Sequence, residues 1–239
     1  MNKRAKFGVI VLLFGLGIYC VASIQNTCSA KVFRVESFET GTVGRTPSVG
    51  WTIKTRGFAD IRISAEQASD GLKALSLSNQ EPNADNSLGT SFCYLKPEIR
   101  EPNATVSFDV YRDDGRSRLN FTLVNKALIA GPSVALTNTA LNVNHPDGPV
   151  LESISCESKT WYRVSMTVPD LNESEWFLKI EELDVGGEGK VIYDSVGPGG
   201  QPFPYRGELN NIYALRIIEA GLPTDNVYLD NIVFSTDPR

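Results

Sequence analysis

Histidine is almost missing from this chain: His145 is the only one in 239 residues. Metal hydrolases and Ser-His-Asp enzymes need several imidazoles, or one beside a nucleophile, so most such readings fall away. The four cysteines contain no Cys-x-x-Cys pair, which removes the usual zinc and redox motifs. There is no basic excess either. With 23 basic against 28 acidic side chains and a net charge of −5, nothing offers a field for a phosphate backbone, and nucleic acid is excluded as a partner. No Gly-x-Ser-x-Gly elbow or phosphate loop occurs. No window of a dozen residues carries an amphipathic helical period, so α/β folds fit poorly. What remains is a chain of one-domain length whose 41% apolar content is too high for disorder.

Its first thirty residues read as an address. Lys3, Arg4 and Lys6 precede an uncharged apolar run from Phe7 to Ile24, the layout of a secretory signal or, uncleaved, of a membrane anchor. Small-residue cleavage sites follow Ala22, Ser23 and Ala30, and Tyr19 before Cys20 argues against a lipoprotein. Residues 1–30 are therefore expected to export residues 31–239, and any membrane contact is expected only through that segment if it stays attached. Without its three positive charges the net charge moves from −5 to −8. Export lets thiols pair, and a Cys93–Cys156 disulfide is the favoured expectation. Two buried free thiols are the alternative, with Cys28 a third candidate if retained.

After Lys31 the apolar period is two. Val106, Phe108 and Val110 alternate with Thr105, Ser107, Asp109 and Tyr111. The same alternation runs through 119–123, 162–168 and 176–182, and further strands are expected at 33–38, 60–64, 72–78, 88–95, 133–137, 140–143, 190–194, 212–218 and 227–234. More than ten short strands between Gly, Pro, Asn and Asp turns predict an all-β, two-sheet antiparallel β-sandwich. Alternation puts Asp109, Tyr111, Asn120, Arg163, Phe177, Lys179 and Glu181 opposite the core-facing residues. If their strands are neighbours, they form one polar face with two aromatics, suited to the hydroxyls and C–H faces of sugars. The competing reading is a solvated face tied by ion pairs such as Arg163 with Asp109 or Glu181. Trp51, Trp161 and Trp176 are expected in the core, and His145 in a surface loop. The Gly- and Pro-rich stretch 185–207, holding Phe203, Tyr205 and Arg206, reads as a hairpin and a long loop, either contacting ligand or simply packed.

Four segments in order carry a resemblance. They are Ser37-Phe-Glu-Thr-Gly-Thr-Val-Gly44 with Pro47 and Trp51, Gln67 to Leu77, Trp161-Tyr-Arg-Val164, and Val227-Tyr-Leu-Asp-Asn-Ile232. Together they resemble exported bacterial jelly-roll domains of the concanavalin A-like lectin/glucanase and carbohydrate-binding-module type. The resemblance implies a jelly roll with first and last strands side by side. It also implies a structural Ca²⁺ near that junction, with Glu39 and Asp230 matching the carboxylates and Asp70 as a third. Glycosidases of this fold carry two carboxylates on one strand; the nearest approach, Glu182 to Glu188, has too many residues and a Gly186-Gly187 turn. Lyase-like sheets use an Arg, a Gln, a His and a Tyr, and a lone loop His does not supply that set. The expected function is a non-catalytic exported module binding polysaccharide or glycan. A jelly-roll glycoside hydrolase or polysaccharide lyase, and a structural or adhesive surface module, are the alternatives.

Overall fold

The computed structural model describes residues 9–13, 18–22, 30–55, 59–79, 91–113, 118–145, 147–197, 200–219 and 226–236. It divides into two units. In the first, Met1–Ser29, β1 (Val9–Leu13) and β2 (Ile18–Ala22) pair antiparallel. Lys3, Arg4, Lys6 and Cys28 lie outside the described residues. No helix among the described residues is long and apolar enough to cross a membrane.

The second unit is all-β among its described residues. Its strands are β3 (Lys31–Glu36), β4 (Trp51–Thr55), β5 (Ala59–Ser64), β6 (Ala74–Asn79), β7 (Ser91–Leu95), β8 (Ala104–Arg112), β9 (Leu119–Val124), β10 (Ala130–Leu136), β11 (Ala140–Asn144), β12 (Val150–Ser155), β13 (Trp161–Val168), β14 (Glu175–Leu183), β15 (Gly189–Asp194), β16 (Phe203–Pro204), β17 (Ala214–Glu219) and β18 (Val227–Thr236). They build two antiparallel sheets. One runs β12-β11-β10-β9-β17-β7-β4; the other runs β15-β14-β13-β8-β18-β6-β5, with β16 beside β14 and β3 beside β18. The chain passes repeatedly between the sheets, and its first body strand lies along its last, as a jelly roll requires.

Period-two alternation makes the core. Val106, Phe108 and Val110 of one sheet face Leu119, Phe121 and Leu123 of the other, and Phe108 stacks on Phe121 at 4.3 Å between ring centroids. Burying each such side chain stabilises by about 1.5–3 kcal/mol. Trp176 packs with Phe203 at 5.4 Å, and Tyr205 is buried with its hydroxyl on the Glu173 carbonyl (2.5 Å), so the 185–207 stretch is packed at both aromatics. Buried Arg112 at the end of β8 ties the sheets together, donating to the carbonyls of Thr137 and Cys156 beyond β10 and β12.

Two expectations need correction. Trp161 is not in the inter-sheet core: it shares the outward parity of Arg163 and packs against Tyr111 at 5.3 Å. The Cys93–Cys156 bridge does not form. Cys156 is a buried free thiol just past β12, while the backbone of Cys93 lies in β7, five strand steps away in the same sheet. Five steps of about 4.8 Å exceed by far the ~7 Å limit between Cα atoms of a disulfide. The Cys93 side chain itself lies outside the described residues. Strand β4 was unanticipated, although Trp51 and Ile53 alternate with Thr52 and Lys54 as an edge strand should.

Candidate functional site

Six of the seven residues expected on a polar face do share one, the outward face of the nine-stranded sheet. Arg163 sits directly between Asp109 on β8 and Glu181 on β14, with Tyr111 and Trp161 in the row above and Lys179 and Phe177 below. Asn120 is apart from them, on β9 of the other sheet. The face has spent its polarity on itself. Asp109, fully buried, takes a two-pronged grip from Arg163 (Nε–Oδ1 2.8 Å, Nη2–Oδ2 2.9 Å). That hydrogen bond raises the guanidinium pKa further. Ser69 Oγ and Asn231 Nδ2 cover the remaining side of Asp109 at 2.8 and 3.1 Å. Lys179 pairs with Glu181 at 2.8 Å. Tyr111 is roofed by Trp161 and Tyr228 rather than presented to solvent.

A bulge in β18 makes this arrangement. Between Asp230 and Val233, β18 spends three residues where β8 spends two, and Asn231 adopts φ 45°. Val227 and Leu229 point to the core before it, Ile232 and Phe234 after it. Alternation with Val227 and Leu229 puts Asp230 outward, directly opposite Asp109, and the bulge after it returns Ile232 to the core. It is fully buried beneath the 65–73 segment and accepts the N–H groups of Ser69 (3.0 Å), Asp70 (3.3 Å) and Asn231 (2.8 Å). Burial pushes its carboxyl up to about 6 despite those donors.

Glu39, Asp70 and Asp230 do not converge on a cation. Glu39 Oε1 accepts the N–H groups of Leu72 and Lys73, both at 2.9 Å. The Lys73 ammonium occupies the carbonyls of Glu39 (2.7 Å) and Gly41 (3.0 Å). Asp70 is exposed, its carboxylate acting on Arg163. A hard cation needs six or more oxygens, and among the described residues no group of three or more His, Cys, Asp or Glu could hold one. N–H donors aimed at both carboxylates repel a cation, so these residues do not fit Ca²⁺ as they stand.

The outward face of the seven-stranded sheet is different. Asn120, Thr122, Ser133, Ala135, Asn142, Asn144 and Arg216 alternate with core residues on β9, β10, β11 and β17, and Lys54 does so on edge strand β4. Small buried residues, Thr122 and Ala135, make a low floor, with longer side chains on either side. At the β10–β11 end this becomes a cleft of about 530 Å³ lined by Arg118, Ala135, Thr137, Asn138, Asn142, Asn144, Gly148 and Val150. Ser153 Oγ donates to Asn142 Oδ1 (2.8 Å); among the described residues Asn120, Asn138 and Asn144 make no side-chain hydrogen bond. Lys54, Arg118 and Arg216 make no ion pair or hydrogen bond among the described residues, and Arg216 Nε is buried without a partner. No carboxylate occupies a described outward strand position of this sheet. Of these residues the sequence singled out only Asn120, and Lys54, Arg118 and Asn144 lie outside the strands expected from it.

Among the described residues, the lining of this cleft contains no Asp or Glu. Asp184 and Glu188 bracket the β14–β15 turn, and Asp184 Oδ1 accepts the N–H groups of Gly186 (2.8 Å) and Glu188 (3.0 Å). His145 Nδ1 accepts the N–H of Asp147 (3.0 Å), whose carboxylate pairs with Arg206.

No family model matches this chain, and no curated protein does. Solved structures do. A carbohydrate esterase from the Shiga toxin-encoding bacteriophage phi24B superimposes with a TM-score of 0.57 at 13% identity, over 88% of this chain and 100% of that one. An endo-β-1,4-glucuronan lyase from the fungus Trichoderma reesei gives 0.56 at 10% identity, over 82% and 96%. A sialidase gives 0.55 at 13%, over 87% of this chain and 19% of that one. At such identities the shared property is the fold: residues 31–236 form an all-β, two-sheet antiparallel jelly roll.

Proposed function

We propose that this chain is an exported, non-catalytic carbohydrate-binding module whose ligand lies on the outward face of the seven-stranded sheet. The observation that carries the reading is the contrast between the two outer faces. The nine-stranded sheet ties its charged groups to each other, whereas the seven-stranded sheet keeps amides and guanidinium groups unspent around a low floor. Planar amides offer a donor and an acceptor together, which suits vicinal hydroxyls. Carbohydrate-related names among the fold neighbours support the same reading. Export rests on the N-terminal pattern of Lys3, Arg4, Lys6 and the apolar run.

The test is a polysaccharide panel with the full chain, read by affinity electrophoresis and calorimetry. Saturable binding is expected, weakened roughly 2- to 12-fold by Asn142→Ala or Asn144→Ala, the worth of one hydrogen bond. Turnover of a panel member would make the protein an enzyme instead. Silence from the folded chain would leave a structural module.

A further inference from the structure

We infer that the ligand is an acidic polysaccharide carrying uronic-acid carboxylates, which rests on the glycan reading just given. Several cations outside this face are matched by partners. Arg163 is held by Asp109, Lys179 by Glu181, Arg34 by Glu36, Arg62 by Asp60, Lys31 by Glu101 and Arg100 by Glu98. On the outward face of the seven-stranded sheet, Lys54, Arg118 and Arg216 have no such partner among the described residues. Exposed Arg45, Lys126, Lys159 and Lys190 also make no ion pair among the described residues, but on this face no carboxylate stands at a described outward strand position to oppose the three charges.

Arg216 is the sharpest of the three. Its Nε is buried with no acceptor among the described residues, as is Arg34 Nε, but unlike Arg34 it has no carboxylate beside it, and such an arrangement costs stability until an acceptor arrives. A guanidinium presents Nε and a terminal nitrogen as a planar fork that a carboxylate fills with two parallel bonds. The neighbouring amides Asn120, Asn142 and Asn144 are neutral and suit the hydroxyls of a sugar ring, not a densely charged polyanion.

The spacing asks for a chain rather than a small anion. Lys54 and Arg216 are two strand steps apart, about 10 Å across the sheet, since β7 lies between their strands. Arg216 stands opposite Thr122 on β9, so Arg118, just before that strand and four residues from Thr122, is about 14 Å away. One monosaccharide cannot reach all three cations; successive acidic residues of a polymer can.

The experiment is calorimetry of the full chain against polyglucuronate, the same polymer after reduction of its carboxyls to alcohols, dextran sulfate and neutral glucans. Expected are binding to polyglucuronate that weakens with salt and at least about tenfold weaker binding to the reduced polymer. Arg216→Gln should weaken binding about tenfold or more, the worth of a charged hydrogen bond, and Lys179→Gln on the other sheet should not. Should Arg216→Gln lose its fold by near-UV circular dichroism, the exposed double variant Lys54→Gln/Arg118→Gln carries the same expectation. Equal binding to native and reduced polymer would overturn the acidic ligand and leave the glycan reading intact. Dextran sulfate binding as tightly as polyglucuronate would overturn the carboxylate in favour of bare charge attraction. Binding to none would overturn both readings.

Discussion

At the scale of single residues, Asp230 is the group most at odds with its surroundings. Its carboxyl, ordinarily near 3.8, is pushed up to about 6 by burial, with Asp109 directly across the strand pair. The folded state therefore binds this proton more tightly than the unfolded chain does. Asp230 contributes stability below about pH 4, and the contribution is lost as pH rises through about 6. The difference in unfolding free energy between Asp230→Asn and the parent should thus shift in the variant's favour from pH 4 to pH 7.5. The shift expected is on the order of 2 kcal/mol. Urea titrations at several pH values read it directly, and a pH-independent difference would count against the assignment.

At the scale of elements, the 65–73 segment explains why a calcium-like sequence signature is present without a calcium-like cage. Gly71, at φ 72°, lies so close to Glu39 that a Cβ there would stand 2.5 Å from Oε1. That glycine lets the segment lie flat over the sheet, so its N–H groups reach Glu39 on one side and Asp230 on the other. The ammonium of Lys73 supplies positive charge to the carbonyls of Glu39 and Gly41. Lys73→Met keeps the length and deletes the donors, and two carbonyls lose their partner. The expected loss is about 1–3 kcal/mol, or roughly 2–12 °C in Tm for a domain of this size. Chelator should leave the Tm of the parent unchanged, and added Ca²⁺ should not rescue the variant. A chelator-sensitive Tm would restore the metal.

At the scale of the whole molecule, sheet membership separates residues that sequence parity treats alike. Cys156 is one example: β12 and β7 stand five strands apart, and burial pushes its thiol up to about 11. Iodoacetamide should therefore spare Cys156 in the native protein and label it after denaturation without reductant. A Cys93–Cys156 linked peptide would contradict the topology. Asn120 is another example. Its outward parity was legible, yet its strand joined the seven-stranded sheet while Asp109 and Arg163 joined the other. The Arg163–Asp109 ion pair was legible as a possibility because both sat at outward positions of alternating strands; direct register made it real. Asn142 and Arg216 also had readable parity, but nothing in a one-dimensional pattern marks which outward residues will find partners.

Sequence alone determined the class of this protein. A period of two, short strands and turn residues permit only packed sheets, and the resemblance carried in part by Val227 to Ile232 implied the closing strand that lies beside β3. Tertiary structure decided which sheet each strand entered, where the β18 bulge reset the alternation after Asp230, and which charges were neutralised. Those are properties of long-range pairing: alternation is local and sets only inside from outside, whereas partners come from residues far along the chain, as Ser69 does for Asp109 and Asp230, 40 and 161 positions away.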